Sequence, residues 1–263
     1  MKTPLIILSM IVARSASASI LMFDFGPTPS PQQSGLDNSP YHSVYPVTGT
    51  VWNPVQTADI APGALKYADG TTAALIGLAT GFSTTSTTIN PATSTPGNTL
   101  AGGASYTEGI YEGVTPPSRS ALFNTTANSN LGVQITGLAA GIYEVFIHSR
   151  NTNSSQTYTQ TNYVGAGNSG AFDFSTYASQ VISYTSTGST ASWVAEGAAG
   201  ENYTRFQVTI TAGQAINIGI VGQGDNHRGF INTLQIAPIP EPSQSLLIFV
   251  SLLPVFCHRR RTV

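Results

Sequence analysis

Thr204-Arg205-Phe206-Gln207-Val208-Thr209-Ile210-Thr211-Ala212-Gly213-Gln214-Ala215-Ile216-Asn217-Ile218-Gly219-Ile220-Val221 holds the pattern that decides the fold. Phe206, Val208 and Ile210 alternate with Gln207, Thr209 and Thr211. After a turn at Ala212-Gly213 the alternation resumes at Ile216, Ile218 and Ile220. Successive strand side chains point to opposite faces, so each run commits one set to a core and the other to solvent. Leu131, Val133 and Ile135 repeat the pattern, and Tyr143, Val145 and Ile147 follow after Ala139-Ala140-Gly141. Two hairpin-like pairs are expected, 131–137 with 142–149 and 204–211 with 215–221. No long amphipathic helix stands out, and Ser118 to Phe123 is the one short helical candidate. Short strands between Gly, Asn and Ser turns predict an all-β, antiparallel β-sandwich rather than a parallel sheet.

The outermost strands of the body belong together. Leu21, Phe23 and Phe25 alternate with Met22 and Asp24, and Phe230, Asn232, Leu234 and Ile236 alternate with Ile231, Thr233 and Gln235. In jelly-roll domains such terminal strands lie side by side. Between them, nine of the 13 residues from Ser83 to Thr95 are Ser or Thr, which suits a solvated edge strand or a long loop. No fixed-period repeat recurs, which argues against a regular ice-binding face.

Both ends of the chain read as addresses. Residues 1–18 carry Lys2, an apolar stretch from Leu5 to Val12, and Ala16-Ser17-Ala18. That is a secretory signal peptide pattern, with cleavage expected after Ala18. Residues 19–237 then form one β domain of the larger kind. Residues 238–263 contain Pro240-Glu241-Pro242, an apolar run from Leu246 to Phe256, and Arg259-Arg260-Arg261. The prolines stop a helix from entering from upstream. The apolar run is expected to form a separate short transmembrane helix, with the arginines favouring the cytoplasmic side. A spanning helix needs about 17–25 residues, and this run is shorter and holds Ser251 and Pro254. A transient anchor, later trimmed, fits it better than a permanent one.

This tail resembles the PEP-CTERM sorting signal of Gram-negative bacteria, also called the ice-binding protein C-terminal domain. The resemblance implies export to the cell envelope or surface, initial anchoring in the inner membrane, and processing by a protease of the exosortase type. It also implies a link to exopolysaccharide. Within the body, Phe23-Asp24-Phe25-Gly26, Gly49-Thr50-Val51-Trp52-Asn53, Leu138-Ala139-Ala140-Gly141-Ile142-Tyr143 and the run from Arg228 to Ile236 are similar to segments of exported sandwich modules. They are similar also to galactose-binding-like jelly rolls. Fold alone does not fix function.

From Asp24 to Glu241 there are twelve acidic and five basic side chains, a net charge of −7. A phosphate backbone would be repelled, so no nucleic-acid partner is expected. The lone cysteine, Cys257, lies in the tail, and the body must rely on its core rather than on disulfides. His42, His148, His227 and His258 are scattered, with no zinc-ligand spacing. There is no Gly-x-Ser-x-Gly elbow. No catalytic residue, metal site or cofactor is nominated, and the protein is not expected to be an enzyme. Glycoside hydrolysis, which needs paired carboxylates, is the alternative, with Glu108, Glu112, Asp173, Glu196 and Glu201 to draw on.

Candidate contacts for a glycan are aromatic and planar polar groups near strand ends. A sugar needs an apolar face for its C–H surface and planar hydrogen-bonding groups for its hydroxyls. Trp52 and Trp193 supply the first, and Arg150, Asn151, Asp225 and Arg228 the second. Either tryptophan could instead be a core anchor. Asp225 with Asn226 could ligate a structural calcium through oxygens or cap a turn. The expected function is that of a non-enzymatic surface module associated with exopolysaccharide. The alternative is a structural or adhesive module without a sugar site.

Overall fold

The computed structural model describes residues 20–25, 51–55, 59–84, 86–91, 98–100, 121–123, 129–149, 157–185, 203–223 and 228–239. They belong to one compact unit, Ser19–Ile239. The signal-peptide candidate with Ala18, and the tail from Pro240 through Arg261, lie outside the described residues. Among the described residues no helix is long and apolar enough to cross a membrane.

The described elements are β1 (Leu21–Phe25), β2 (Asn53–Val55), β3 (Gly77–Ser83), β4 (Thr88–Ile89), β5 (Asn98–Leu100), β6 (Ala121–Phe123), β7 (Asn130–Thr136), β8 (Gly141–His148), β9 (Thr157–Gly167), β10 (Phe172–Asp173), β11 (Ala178–Thr185), β12 (Tyr203–Ile210), β13 (Ala215–Gly222), β14 (Phe230–Ile231) and β15 (Thr233–Pro238). Two five-stranded sheets carry the architecture. The first runs β12-β8-β15-β1-β2 and the second β11-β9-β13-β7-β3. Their apolar faces share one core. Phe23, Val145, Phe206, Leu234 and Ile236 of the first meet Leu131, Val133, Ile216, Ile218 and Ile220 of the second. The expected all-β sandwich is therefore present. Its sheets are antiparallel apart from one parallel pair, in which Phe23 of β1 lies opposite Asn53 of β2.

The terminal strands do lie side by side, with Leu21 opposite Ile236 and Phe23 opposite Leu234. The two hairpins do not form. β7 pairs with β13 and β3, while β8 pairs with β12 and β15. The short links 137–140 and 211–214 thus arch from one sheet to the other. Alternation fixes which side chains face inward, but it is the same for two strands of one sheet and for two strands facing across a core. The helical candidate at Ser118 to Phe123 is also overturned where it is described. Ala121–Phe123 is strand β6, paired with β5 and β14 and buried along its length.

The first arch shows how sequence sets the crossing. The Tyr143 hydroxyl donates to the Ala139 carbonyl at 2.8 Å, a tyrosine corner that ties the new strand to its own turn. Burial, with a smaller contribution from Tyr67, pushes the phenol above its usual pKa. Tyr143→Phe should cost about 1 kcal/mol, the usual worth of one such bond. Urea unfolding would check this, and an unchanged midpoint would show that the corner is not formed in solution.

The outer face of the second sheet is closed by the chain itself. β4 and β10 pair with each other, Phe172 opposite Ile89, and carry Ile89, Phe172 and Phe174 into a small cluster with Tyr163, Tyr177 and Val221. Glycines make room for it. A Cβ at Gly219 would lie 2.4 Å from the Phe174 ring, one at Gly165 2.4 Å from the Tyr177 ring, and one at Gly132 2.7 Å from Ile89. Gln134 and Asn217 secure the margin. Gln134 Nε2 donates to Asn217 Oδ1 at 2.7 Å and its Oε1 accepts from the Gly170 N–H at 2.8 Å. The Ser/Thr-rich stretch begins at the edge strand β3 and leads into this flap through side-chain turns, Ser86 N–H to Ser83 Oγ and Thr88 N–H to Ser86 Oγ.

Candidate functional site

The strands define two poles. At the lower pole lie the arches and the ends of β12, β15 and β9. At the upper pole β1, β8, β11 and β13 end and β9, β12 and β15 begin, since His148 lies opposite both Tyr203 and Thr233, and Thr157 opposite Thr185. Four predicted contact residues, Arg150, Asn151, Trp193 and Asp225, lie outside the described residues. The described residues that flank them are Ser149, Thr185 with Tyr203, and Gln223 with Arg228, all at the upper pole.

Beneath this pole the sandwich interior turns polar. Gln160 and Asn162 of β9 occupy inward positions that Val164 begins, and both are fully buried. Gln160 Nε2 donates to Ser149 Oγ at 2.8 Å, Asn162 Oδ1 at 2.7 Å and the Phe230 carbonyl at 3.1 Å. Its Oε1 accepts from the Phe230 N–H at 3.1 Å. Asn162 Nδ2 reaches across the core to Thr204 Oγ1 at 2.9 Å. Buried polar groups must be bonded, and a satisfied network rigidifies its surroundings. This one ties β9, β12, the end of β8 and the start of β14 into one platform.

Arg228 stands on that platform. Its backbone lies so close over β13 that a Cβ on Gly222 would be 2.6 Å from it, and Gly229 packs equally closely on Ile220. Its side chain is half-buried, and among the described residues the buried Nε makes no hydrogen bond. A guanidinium has five donors and no acceptor, so it calls for oxygen partners. Trp52 is placed differently. It is 3% exposed, so its indole lies inside rather than offering a face to a sugar. Its neighbour Asn53 is likewise buried and serves the backbone, donating to the Met22 and Lys66 carbonyls and accepting from the Lys66 N–H. The parallel β1–β2 contact draws this stretch into the fold.

Sequence reasoning missed the partly open patch beside the pole. Glu144 of β8, its side chain 6% exposed, is ion-paired with Arg205 of β12, whose side chain is 44% exposed. The Arg205 guanidinium carbon lies 5.5 Å from the Phe146 ring centre, within cation–π range. Tyr203 tilts against the same ring at 6.3 Å. Burial raises its phenol pKa, partly offset by Arg205. Phe146 and Arg205 sit on the face opposite the apolar alternation that reveals the strands, so periodicity points away from them. Of the acids considered for glycoside chemistry, Asp173 is exposed and accepts from the Ser175 N–H at 2.9 Å. Hydrogen bonds from the Ser175 backbone, then from the Thr87 and Ser175 side chains, hold its carboxyl below its usual pKa. Glu108, Glu112, Glu196 and Glu201 lie outside the described residues.

No family model matches the chain, and no curated protein matches it. Solved structures give weak likenesses. A family GH115 4-O-methyl-alpha-glucuronidase with specificity for decorated arabinogalactans is 11% identical with a TM-score of 0.29, over 54% of this chain and 17% of that one. TmCBM61, solved with beta-1,4-galactotriose, is 14% identical with a TM-score of 0.25, over 48% of this chain and 74% of that one. A study of promiscuous carbohydrate-binding modules from the β-sandwich superfamily supplies a third, 10% identical with a TM-score of 0.26, over 62% of this chain and 57% of that one. The chain thus spans 17% of the glucuronidase's length.

Proposed function

We propose that the protein is an exported, non-enzymatic cell-surface module of jelly-roll type that associates with a neutral extracellular glycan through its upper pole. Its C-terminal segment acts as a PEP-CTERM address read by an exosortase-type protease, with the short apolar helix as a transient membrane anchor. The observation that carries the glycan reading is Arg228. This half-buried arginine stands at the upper pole, and two glycines hold its backbone close over β13. Glycan hydroxyls are suitable acceptors for it. The body's charge of −6 over residues 19–237 favours a neutral polymer over a polyanionic one.

The test is retention of the purified protein on a panel of soluble and insoluble polysaccharides, including the producing cell's own extracellular polymer. Arg228→Ala should weaken retention about tenfold or more, the worth of a charged hydrogen bond, without moving the melting temperature. No retention on any polymer would overturn the reading, as would full retention by the variant.

A further inference from the structure

We propose, on the reading of the C-terminal apolar run as a transient membrane anchor, that the lower pole is a lipid-facing surface, which rests against the bilayer while that run is inserted. The surface centres on Leu75, which is 75% exposed. Its turn holds it out. The Ile76 N–H donates to the Ala73 carbonyl at 3.1 Å and the Ala73 N–H to the Leu65 carbonyl at 2.9 Å. Ala73 and Ile76 are both buried. On the other side the Leu75 carbonyl lies against the first arch, where a Cβ on Gly137 would be 1.8 Å from its oxygen. The backbone of Leu75 is thus fixed from both sides, and its buried neighbours leave its own side chain outward.

Small, uncharged residues surround it. Ala61-Pro62-Gly63-Ala64 and Ala139-Ala140 are exposed. The first of these loops adjoins the turn directly. A Cβ on Gly63 would lie 3.7 Å from the Ala74 carbonyl oxygen, and one on Gly77 3.3 Å from Pro62 Cδ. The second belongs to the arch that begins at Gly137. The stretches 61–64, 72–75, 137–142 and 211–214 contain no charged residue, although the body is acidic. Lys66 and Asp69, exposed on the next loop, are of opposite sign. An acidic surface is repelled by anionic headgroups, and this pole does not present one.

The occupant follows from where the chain leaves. β15 ends at this pole, and the Ile239 N–H donates to the Ile142 carbonyl at 2.8 Å. Six residues, 240–245, separate Ile239 from the apolar run at Leu246. An extended chain spans at most about 3.6 Å per residue, so a bilayer that holds the run lies within about 25 Å of the point of exit. A short tether makes a second contact intramolecular, at an effective concentration on the order of millimolar. One leucine rimmed by alanines is too weak to hold a free protein on lipid, and it is enough to orient a tethered one.

The test uses the full chain with Cys257→Ser, reconstituted into phosphatidylethanolamine–phosphatidylglycerol vesicles. Flotation with the vesicles reports the anchor. Leu75→Cys, labelled with an environment-sensitive fluorophore, should shift its emission to the blue, be quenched by a nitroxide carried on the lipid, and lose quenching by aqueous iodide. Ala139→Cys should behave alike. Thr84→Cys, exposed beyond the far end of β3, should show the reverse. Flotation with residue 75 quenched by iodide and untouched by the lipid nitroxide would overturn the proposal and leave the anchor standing. Protection from both quenchers would overturn it in favour of a protein covering the pole. Loss of flotation would overturn the anchor and the proposal with it.

Discussion

Gln160→Ala should destabilise the domain by about 3 kcal/mol or more, because each buried group left unbonded costs about 1–3 kcal/mol. Four groups lose a bond to Gln160 at once: Ser149 Oγ, Asn162 Oδ1, and the carbonyl and N–H of Phe230. The amide has two hydrogens for three acceptors, so one is shared, and the number of bonds overstates the loss slightly. For a domain of this size each kcal/mol moves the melting temperature by about 2–4 °C, so a fall near 10 °C is expected. Thermal and urea unfolding would read it, and a shift under about 1 °C would show that the network is not closed in solution. The same change should weaken glycan retention even below the melting transition. Phe230 is two residues from Arg228, and Gln160 holds both of its backbone polar groups.

Gly137→Ala should be of similar or greater effect. Gly137 has φ of 78°, and a Cβ there would lie 1.8 Å from the Leu75 carbonyl oxygen and 2.6 Å from its carbon. The left-handed backbone alone costs a non-glycine residue about 1–3 kcal/mol. The contact is with backbone, which cannot rotate aside, and overpacking adds about 1–3 kcal/mol. Gly213 provides the control. Its φ is 81°, and a Cβ there meets nothing within 4 Å. Gly213→Ala should therefore show the conformational term only. Equal losses for the two variants in urea would refute the steric account. Both glycines sit in the arches, so the comparison also reports on how the chain crosses between sheets.

The strands that could be read from the sequence were those whose inward positions are apolar. Phe206, Val208 and Ile210 announced β12, and Leu21 and Phe23 announced β1. β9 gave no such signal, since Thr157-Tyr-Thr-Gln-Thr-Asn-Tyr places Gln160 and Asn162 where an isoleucine would stand. Hydrogen bonding, not apolar burial, fills those positions, and periodicity does not see it. The arches were mistaken for hairpins because an inward face looks alike in either sheet. Of the candidate contacts, Arg228 could be placed from its position before the last strands. Trp52 has the right chemistry, but whether a tryptophan faces in or out depends on what packs beside it, here the parallel β1–β2 pair. Glu144 and Arg205 are far apart in sequence and meet only through the β8–β12 register, Phe146 opposite Arg205.

The position of β15 has a mechanical consequence. It lies between β8 and β1 and is antiparallel to both, and β1 starts at the pole where β15 ends. Tension between the two ends of the domain would act at one pole and peel β1 from β15 one bond at a time. Tension between the C-terminal end and the upper pole would instead drag β15 lengthwise, loading its bonds to both neighbours together in shear. A domain held by its C-terminal end and pulled through what it grips at the other pole is strained in its stronger direction.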